Sequence, residues 1–211
     1  SRILSTELLV ATLGEMNVRP KVFICASAIG IYGQRQDEKL TELSSVGRGF
    51  LADLTSDWEE MASKSSVERV IHARFGIVLS PNGGALGKML LPFRLGVGGR
   101  LGDGRHYMSW ITLSDAVSAL IFILMNPIVR GPVNIVSPSP IRNEEFTQIL
   151  GKVLGRPTLF PVPTFALRLL FGSMVDQVLL SSQQVIPNVL LEERFRFDDP
   201  NLETALSKML N

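Results

Sequence analysis

The residues best suited to chemistry fall in two places along the 211-residue chain. Arg94, Arg100, Arg105 and His106 surround a glycine-rich stretch at 96–104. Glycines let a backbone approach a ligand closely and guanidinium forks match anionic groups, so this stretch reads as a flap over a substrate. Trp110 would pack beneath that flap or line the pocket under it. Ser27 and Tyr32 follow an apolar run at 22–26, where hydroxyls either satisfy a turn or face a pocket at a strand's end. Asp53 and Asp57 offer carboxylic acids, or are simply solvated on a helix surface.

Other chemistries find no support. No His/Cys/Asp/Glu cluster has metal-ligand spacing. Cys25 is the single cysteine, so no intramolecular disulfide forms, and its apolar neighbours mark it as a core residue of a protein in a reducing compartment, the cytoplasm. His72, inside an apolar run, reads as a core histidine. A formal charge of +1 gives no electrostatic case for nucleic acid or an anionic membrane. The most apolar stretch, 116–125, is far too short to span a bilayer. The expected partners are therefore a small-molecule substrate and, as an association, a second copy in a homodimer.

The elements that position these residues alternate. A helix opens the chain, with Leu4, Leu8 and Ala11 on one face and Gly14 as its stop. Strands are expected at 21–25, at 70–75 continuing towards Leu79, and at 133–136, with helices at 50–63 and 84–95. Ser114 would cap a helix that turns Val117, Leu120, Ile121 and Leu124 inward and stops at Asn126-Pro127. Asn143 would cap another, with Phe146, Ile149, Leu150 and Val153 on one face. Strand–helix alternation predicts an α/β fold with a parallel sheet. Pro157, Pro161 and Pro163 mark a change of texture, so 1–154 is expected as one domain and 155–211 as a small mixed C-terminal lobe that ends in a helix near 201–210.

Ser27-Ala28-Ile29-Gly30-Ile31-Tyr32-Gly33 resembles the extended short-chain dehydrogenase/reductases. More narrowly it is similar to their epimerase-like branch, often labelled sugar-nucleotide epimerase or SulA-type. Further stretches fit that branch in order. They are Ser1-Arg2 with Ser5-Thr6, Asp57-Trp58-Glu59, Arg74 to Leu79 into Gly83-Gly84-Ala85, Leu91-Pro92-Phe93 into Gly98-Gly99, and Gly102 to Asp115. The C-terminal Gly155-Arg156-Pro157 and Phe195-Arg196-Phe197 also match.

The resemblance implies a partial Rossmann-like sheet that binds NADP, or NAD, and supports oxidation, reduction or epimerisation of a small substrate. Arg2, Ser27, Gly76, Ile77 and Val78 would border the cofactor; Ser27 is the candidate for the catalytic serine, and Tyr32 is a substitute for the family's catalytic tyrosine; and Arg94, Arg100, His106 and Trp110 would form the substrate pocket. Glutamine often stands in the family where this chain has His106.

Two features depart from the family's pattern. Its catalytic serine lies four residues before the Tyr-Gly tyrosine, a position held here by Ala28. Its Tyr-x-x-x-Lys pair should fall on the helix at 50–63, where no tyrosine occurs, and Lys64 has none four residues before it. Nor does the sequence contain the Gly-x-x-Gly-x-x-Gly turn that grips a pyrophosphate, so roughly 80–100 residues of a Rossmann half are expected ahead of Ser1, at about 30 residues per unit. The alternatives left open are an enzyme with an atypical site, a silent dinucleotide-binding protein acting through partners, and an interaction fragment.

Overall fold

In a computed structural model of the chain, the described residues are 1–162 and 181–210. Helix α1 (Arg2–Glu15) leads into strand β1 (Val22–Ala28), a single 3-10 turn (Ile29–Tyr32) and the short β2 (Lys39–Leu40). Helix α2 (Phe50–Ser63) precedes β3 (Arg69–Phe75). Further along, β7 (Gly131–Ile135) completes a parallel sheet in the order β1-β3-β7. The fold is α/β and Rossmann-like, with parallel strands joined through helices, as the alternation predicts.

The strands' period of two sorts residues between the sheet's faces. Ile24 of β1 and Ile71, Ala73 and Phe75 of β3 share a core with Ala116, Ala119 and Ile123 of α4 (Leu113–Met125). On the opposite face Cys25 pairs with His72 and Ser27 with Arg74, forming a polar stripe beneath α2. Arg69 pins β3 to α4. Its buried guanidinium donates to the carbonyls of Ile123 at 3.0 Å and Leu124 at 2.9 Å, and to that of Asn126, at the negative end of the helix dipole.

The strand expected to run on towards Leu79 is split at Gly76. A Cβ there would lie 2.4 Å from the Ser109 carbonyl oxygen and 2.6 Å from Val136, so only glycine permits this crossing. The chain then joins a second parallel pair, β4 (Ile77–Ser80) with β6 (Trp110–Thr112). Helix α3 (Gly84–Arg94) packs on β4, and α5 (Asn143–Leu154) packs on the terminal α7 (Leu202–Leu210). Trp110, Phe146, Leu150, Leu79, Leu202 and Leu206 form their common core. The pairing of β2 with β9 (Gln184–Val185) brings the C-terminal segment onto the body, and a separate antiparallel pair joins β5 (Tyr107–Met108) to β8 (Ile141–Arg142). Helix α6 (Asn188–Glu192) sits against β7.

Several local expectations are corrected. Thr112, not Ser114, caps α4, its hydroxyl accepting from the Asp115 N–H, because Thr112 holds the extended backbone of a cap while Ser114 already lies in the helix's first turn. Asn143 starts α5 without capping it, because its amide oxygen accepts from the Leu101 N–H at 2.7 Å across the loop. Helix α4 turns Ala116, Ala119 and Ile123 inward, while Val117, Ile121 and Leu124 are about half exposed, the reverse of the expected face for those three. The small side chains let α4 approach the sheet closely. Leu4 and Leu8 of α1 are likewise exposed, and Thr6 is the buried residue of that helix.

Among the described residues no helix is long and apolar enough to cross a membrane, and no group of three or more His, Cys, Asp or Glu could hold a metal ion.

Candidate functional site

A buried polar chain runs from the end of β1 through α2 and β3 to β7. Ser27 donates its hydroxyl proton to Glu59 Oε1 at 2.5 Å. The same carboxylate takes two hydrogen bonds from Arg74, Nε to Oε1 at 2.8 Å and Nη2 to Oε2 at 2.7 Å. Arg74 Nη1 then donates to the Tyr32 hydroxyl at 2.9 Å, with the guanidinium carbon 5.2 Å from the ring centroid. Tyr32 passes its own proton to Asn134 Oδ1 at 2.7 Å. A bidentate charged pair of this kind is both strong and geometrically specific.

Local structure explains how the residues converge. Ser27 and Arg74 are parallel-sheet neighbours pointing to the same face, and Glu59 occupies the stripe of α2, with Ala52, Thr55 and Ala62, that lies on the sheet. Asn134 sits beside Arg74 in the β3–β7 register. Burial opposes the charge on Arg74, but hydrogen bonds and attraction from Glu59 and Tyr32 hold its pKa above the usual arginine value. Burial pushes the Tyr32 phenol up, only partly countered by Arg74.

The chain of contacts continues outward. Asn134 Nδ2 donates to the Ile186 carbonyl at 3.0 Å. The buried Glu42 carboxylate accepts from three backbone N–H groups, those of Asn134, Asn188 and Val189, at 3.0–3.2 Å. Burial raises the Glu42 pKa despite these bonds. Glu42 thereby ties the loop after β2 to β7 and to the start of α6.

A polar cavity of about 700 Å³ lies between the loop that follows the 3-10 turn and the end of the glycine-rich stretch. Gln34, Gln36 and Asp37 line one side, Asp103, Arg105 and His106 the other, with Arg142 and Ser182 closing it. Arg142 is held by Asp37 at 3.1 Å and lies 4.5 Å from the Tyr107 ring centroid. His106 is buried, its Nε2 has no partner among the described residues, and burial lowers its pKa, so the ring is neutral near pH 7.

The structure thus brings Ser27 and Tyr32 onto one network, with both hydroxyl protons engaged. Of the expected pocket residues, His106 borders the cavity. Arg94 at the end of α3 and Arg100 are exposed and outside its lining, and Trp110 is fully buried in the core with its Nε1 donating to the Ser139 carbonyl. Arg2 is exposed at the start of α1, its guanidinium 5.5 Å from the Trp58 ring. Gly76 and Ile77 already donate their N–H groups to Ile135 and Ser109, and Val78 is half-buried against the α4 core. Asp53 is exposed at the first turn of α2 and Asp57 is exposed further along.

Sequence reasoning missed Glu59, Arg74, Asn134 and Glu42 as a unit. Its signal was present: an arginine in the apolar run 69–75 and a glutamate on the inward stripe of α2 are charges that burial tolerates only when paired.

Residues 162–209 match the family described as Domain of unknown function (DUF1731). Over 208 residues the chain is 44% identical to an epimerase family protein of Mycobacterium bovis, covering 98% of this chain and 68% of that relative. An epimerase family protein of Staphylococcus aureus is 36% identical over 214 residues, covering 100% of this chain and 71% of the relative. Among solved structures, human epimerase family protein SDR39U1 (isoform 2) with NADPH superposes with a TM-score of 0.93 at 33% identity, over 99% of this chain and 72% of that one. A nucleoside-diphosphate sugar epimerase of Corynebacterium glutamicum gives a TM-score of 0.82 at 31% identity, over 100% of this chain and 41% of that one. With its Rossmann-like sheet and relatives matched along nearly its whole length, the chain belongs to the epimerase family, an epimerase-like branch of the extended short-chain dehydrogenase/reductases.

Proposed function

We propose that the protein is an NAD(P)-dependent oxidoreductase or epimerase of a small-molecule substrate, with NADP as first choice and NAD as the alternative. The carrying observation is the TM-score of 0.93 to a relative solved with NADPH. The polar cavity supports it, since one wall comes from the loop that follows β1 and open α/β sheets bind ligands outside the carboxyl ends of their strands. A bound dinucleotide would supply hydride transfer. Ser27, Gly76, Ile77 and Val78 would border its nicotinamide end. Arg2 fits the role of a ribose or phosphate contact because no carboxylate holds its exposed guanidinium among the described residues. The pyrophosphate-gripping turn is not among the chain's motifs, so the fit is to part of a dinucleotide site.

In this reading Arg105, Arg142 and His106 orient the substrate, and the Glu59–Arg74 pair fixes the Ser27 and Tyr32 hydroxyls. Cys25, buried with its thiol pKa raised by burial, suits a reducing compartment, and we assign the protein to the cytoplasm as a homodimer. One observation favours a second reading, a silent dinucleotide-binding protein: both hydroxyl protons are already given away, to Glu59 and Asn134. Titration with NADPH followed by a hydride-transfer assay separates the two. Saturable binding with turnover that falls at least tenfold in Ser27→Ala supports the enzyme. Binding without turnover supports the silent protein, and no binding to NADPH or NADH overturns both.

A further inference from the structure

Asn82 and Gly83 form the one Asn-Gly pair in the sequence. They stand in a tight turn between β4 and α3, closed by antiparallel bridges from Leu79 to Gly84 and from Ser80 to Gly83. Asn82 is exposed. Its backbone N–H reaches Ser80 Oγ at 3.4 Å, but its side-chain amide makes no hydrogen bond among the described residues. Gly83 is exposed too, with extended backbone, and a Cβ placed on it would meet nothing within 4 Å. Asparagine is thermolabile because the next residue's nitrogen can attack its side chain, and glycine obstructs that attack least.

The other internal asparagines lack one or more of these conditions. Asn134 and Asn143 are buried. Asn126 precedes Pro127, which has no N–H. Asn188 and Asn201 are engaged through their side chains, with Glu192 and Thr204. Asn17 matches Asn82 in exposure but precedes the β-branched Val18, whose bulk shields its own nitrogen.

The turn also lies against the start of α3. A Cβ on Gly87, in the first turn of that helix, would sit 3.3 Å from the Pro81 carbonyl oxygen and 3.7 Å from the Asn82 carbonyl carbon. That first turn contains no acidic residue, and Gly83 at the N-cap supplies no side-chain hydrogen bond. The free N–H groups there carry the positive end of the helix dipole with no acid of the helix's own to meet it.

We propose that Asn82-Gly83 is a site of spontaneous covalent modification that turns a neutral turn into an acidic start for α3. The Gly83 nitrogen bonds to Asn82 Cγ and gives up its proton, while the Cγ–Nδ2 bond breaks and ammonia leaves with that proton. Water then opens the resulting succinimide ring. Cleavage between the nitrogen and Cγ gives aspartate. Cleavage between the nitrogen and the backbone carbonyl carbon gives isoaspartate, whose main chain runs through Cβ and Cγ. Nothing is oxidised or reduced, and either product replaces an amide with a carboxylate, lowering the formal charge of +1 by one. The aspartyl form meets the dipole of α3 favourably, whereas the isoaspartyl form lengthens the turn and disturbs its two bridges. None of this depends on a bound dinucleotide or substrate.

The test incubates the 211-residue chain in mildly alkaline buffer, which favours loss of the Gly83 proton, with peptide mass mapping and isoelectric focusing as readouts. The expected result is conversion at Asn82 at least tenfold faster than at Asn17, with matching release of ammonia. Gly83→Val places a side chain where the backbone is extended and the space open, and slows conversion at least tenfold. Gly83→Ala serves instead if Gly83→Val alters the circular dichroism. Asn82→Asp, made directly, slows hydrogen exchange of the first-turn amides of α3 by about two- to fivefold, as expected for a charge at a helix N-terminus. Conversion no faster than at Asn17, or unaffected by the Gly83 variants, overturns the site. Unchanged or faster α3 exchange in Asn82→Asp overturns the effect on the helix.

Discussion

Glu59 and Arg74 meet in two hydrogen bonds of 2.7 and 2.8 Å, with their side chains only 11% and 8% exposed. Because Ser27 bonds to the carboxylate and Tyr32 to the guanidinium, this one pair sets the orientation of both candidate hydroxyls. Burying two charges costs desolvation energy that only close pairing offsets, so losing either partner exposes the full penalty.

Removing one partner is therefore expected to be costly. Arg74→Met strands the Glu59 carboxylate, and urea unfolding should show a loss of about 3–5 kcal/mol. The double variant Glu59→Leu/Arg74→Met should be clearly less destabilised than the sum of the single changes, because no unpaired charge remains. Additive losses would show that the pair is not coupled.

Tyr32→Phe deletes a fully buried hydroxyl and leaves Asn134 Oδ1 and one Arg74 N–H without their partner. The expected cost is about 1–3 kcal/mol in unfolding free energy. A neutral substitution would mean that water or a rearranged Asn134 replaces the bond.

Much of the fold was legible because apolar runs of strand length alternate with helical periods. What was not legible depended on partners distant in sequence. Glu59 looks like the solvated Glu60 beside it until β3 brings Arg74 beneath the helix. The expected face of α4 followed side-chain size, whereas the sheet accepts Ala116 and Ala119 because they allow close approach. Ser114 looked like a cap because the helix begins one residue before it, at Leu113, and Thr112 does the capping. The cavity-lining Arg142 is likewise set opposite Tyr107 by the pairing of β5 and β8 and meets Asp37, 105 residues away in sequence, at 3.1 Å.

Asp115 accepts the backbone N–H groups of Asp198 and Asp199 at 2.9 and 3.0 Å, joining the start of α4 to the segment before α7. Asp115→Ala removes two charge-assisted bonds from a buried site and should destabilise by about 2–4 kcal/mol. Hydrogen exchange should rise first at residues 198–199. A uniform change across the chain would argue against this local clamp.

Two histidines predict an acid dependence. His72 and His106 are both buried, and burial lowers each pKa from the ordinary 6.5. The unfolded chain then binds protons more readily than the native state, so their stabilising contribution is full above pH 6.5 and is lost as pH falls through the folded values. The melting temperature should drop between pH 7 and 5, at roughly 2–4 °C per kcal/mol for a chain of this size. His106→Gln should flatten that dependence. An unchanged slope in the variant would remove His106 from the explanation.

The central claim, a nicotinamide dinucleotide site at the C-terminal end of this sheet, is tested most directly by calorimetric titration with NADPH and NADH. The titration is made on the 211-residue protein at neutral pH. The account predicts saturable binding, tighter for NADPH, and weakened at least tenfold by Arg2→Ala with the fold intact. No binding heat with either nucleotide would contradict it.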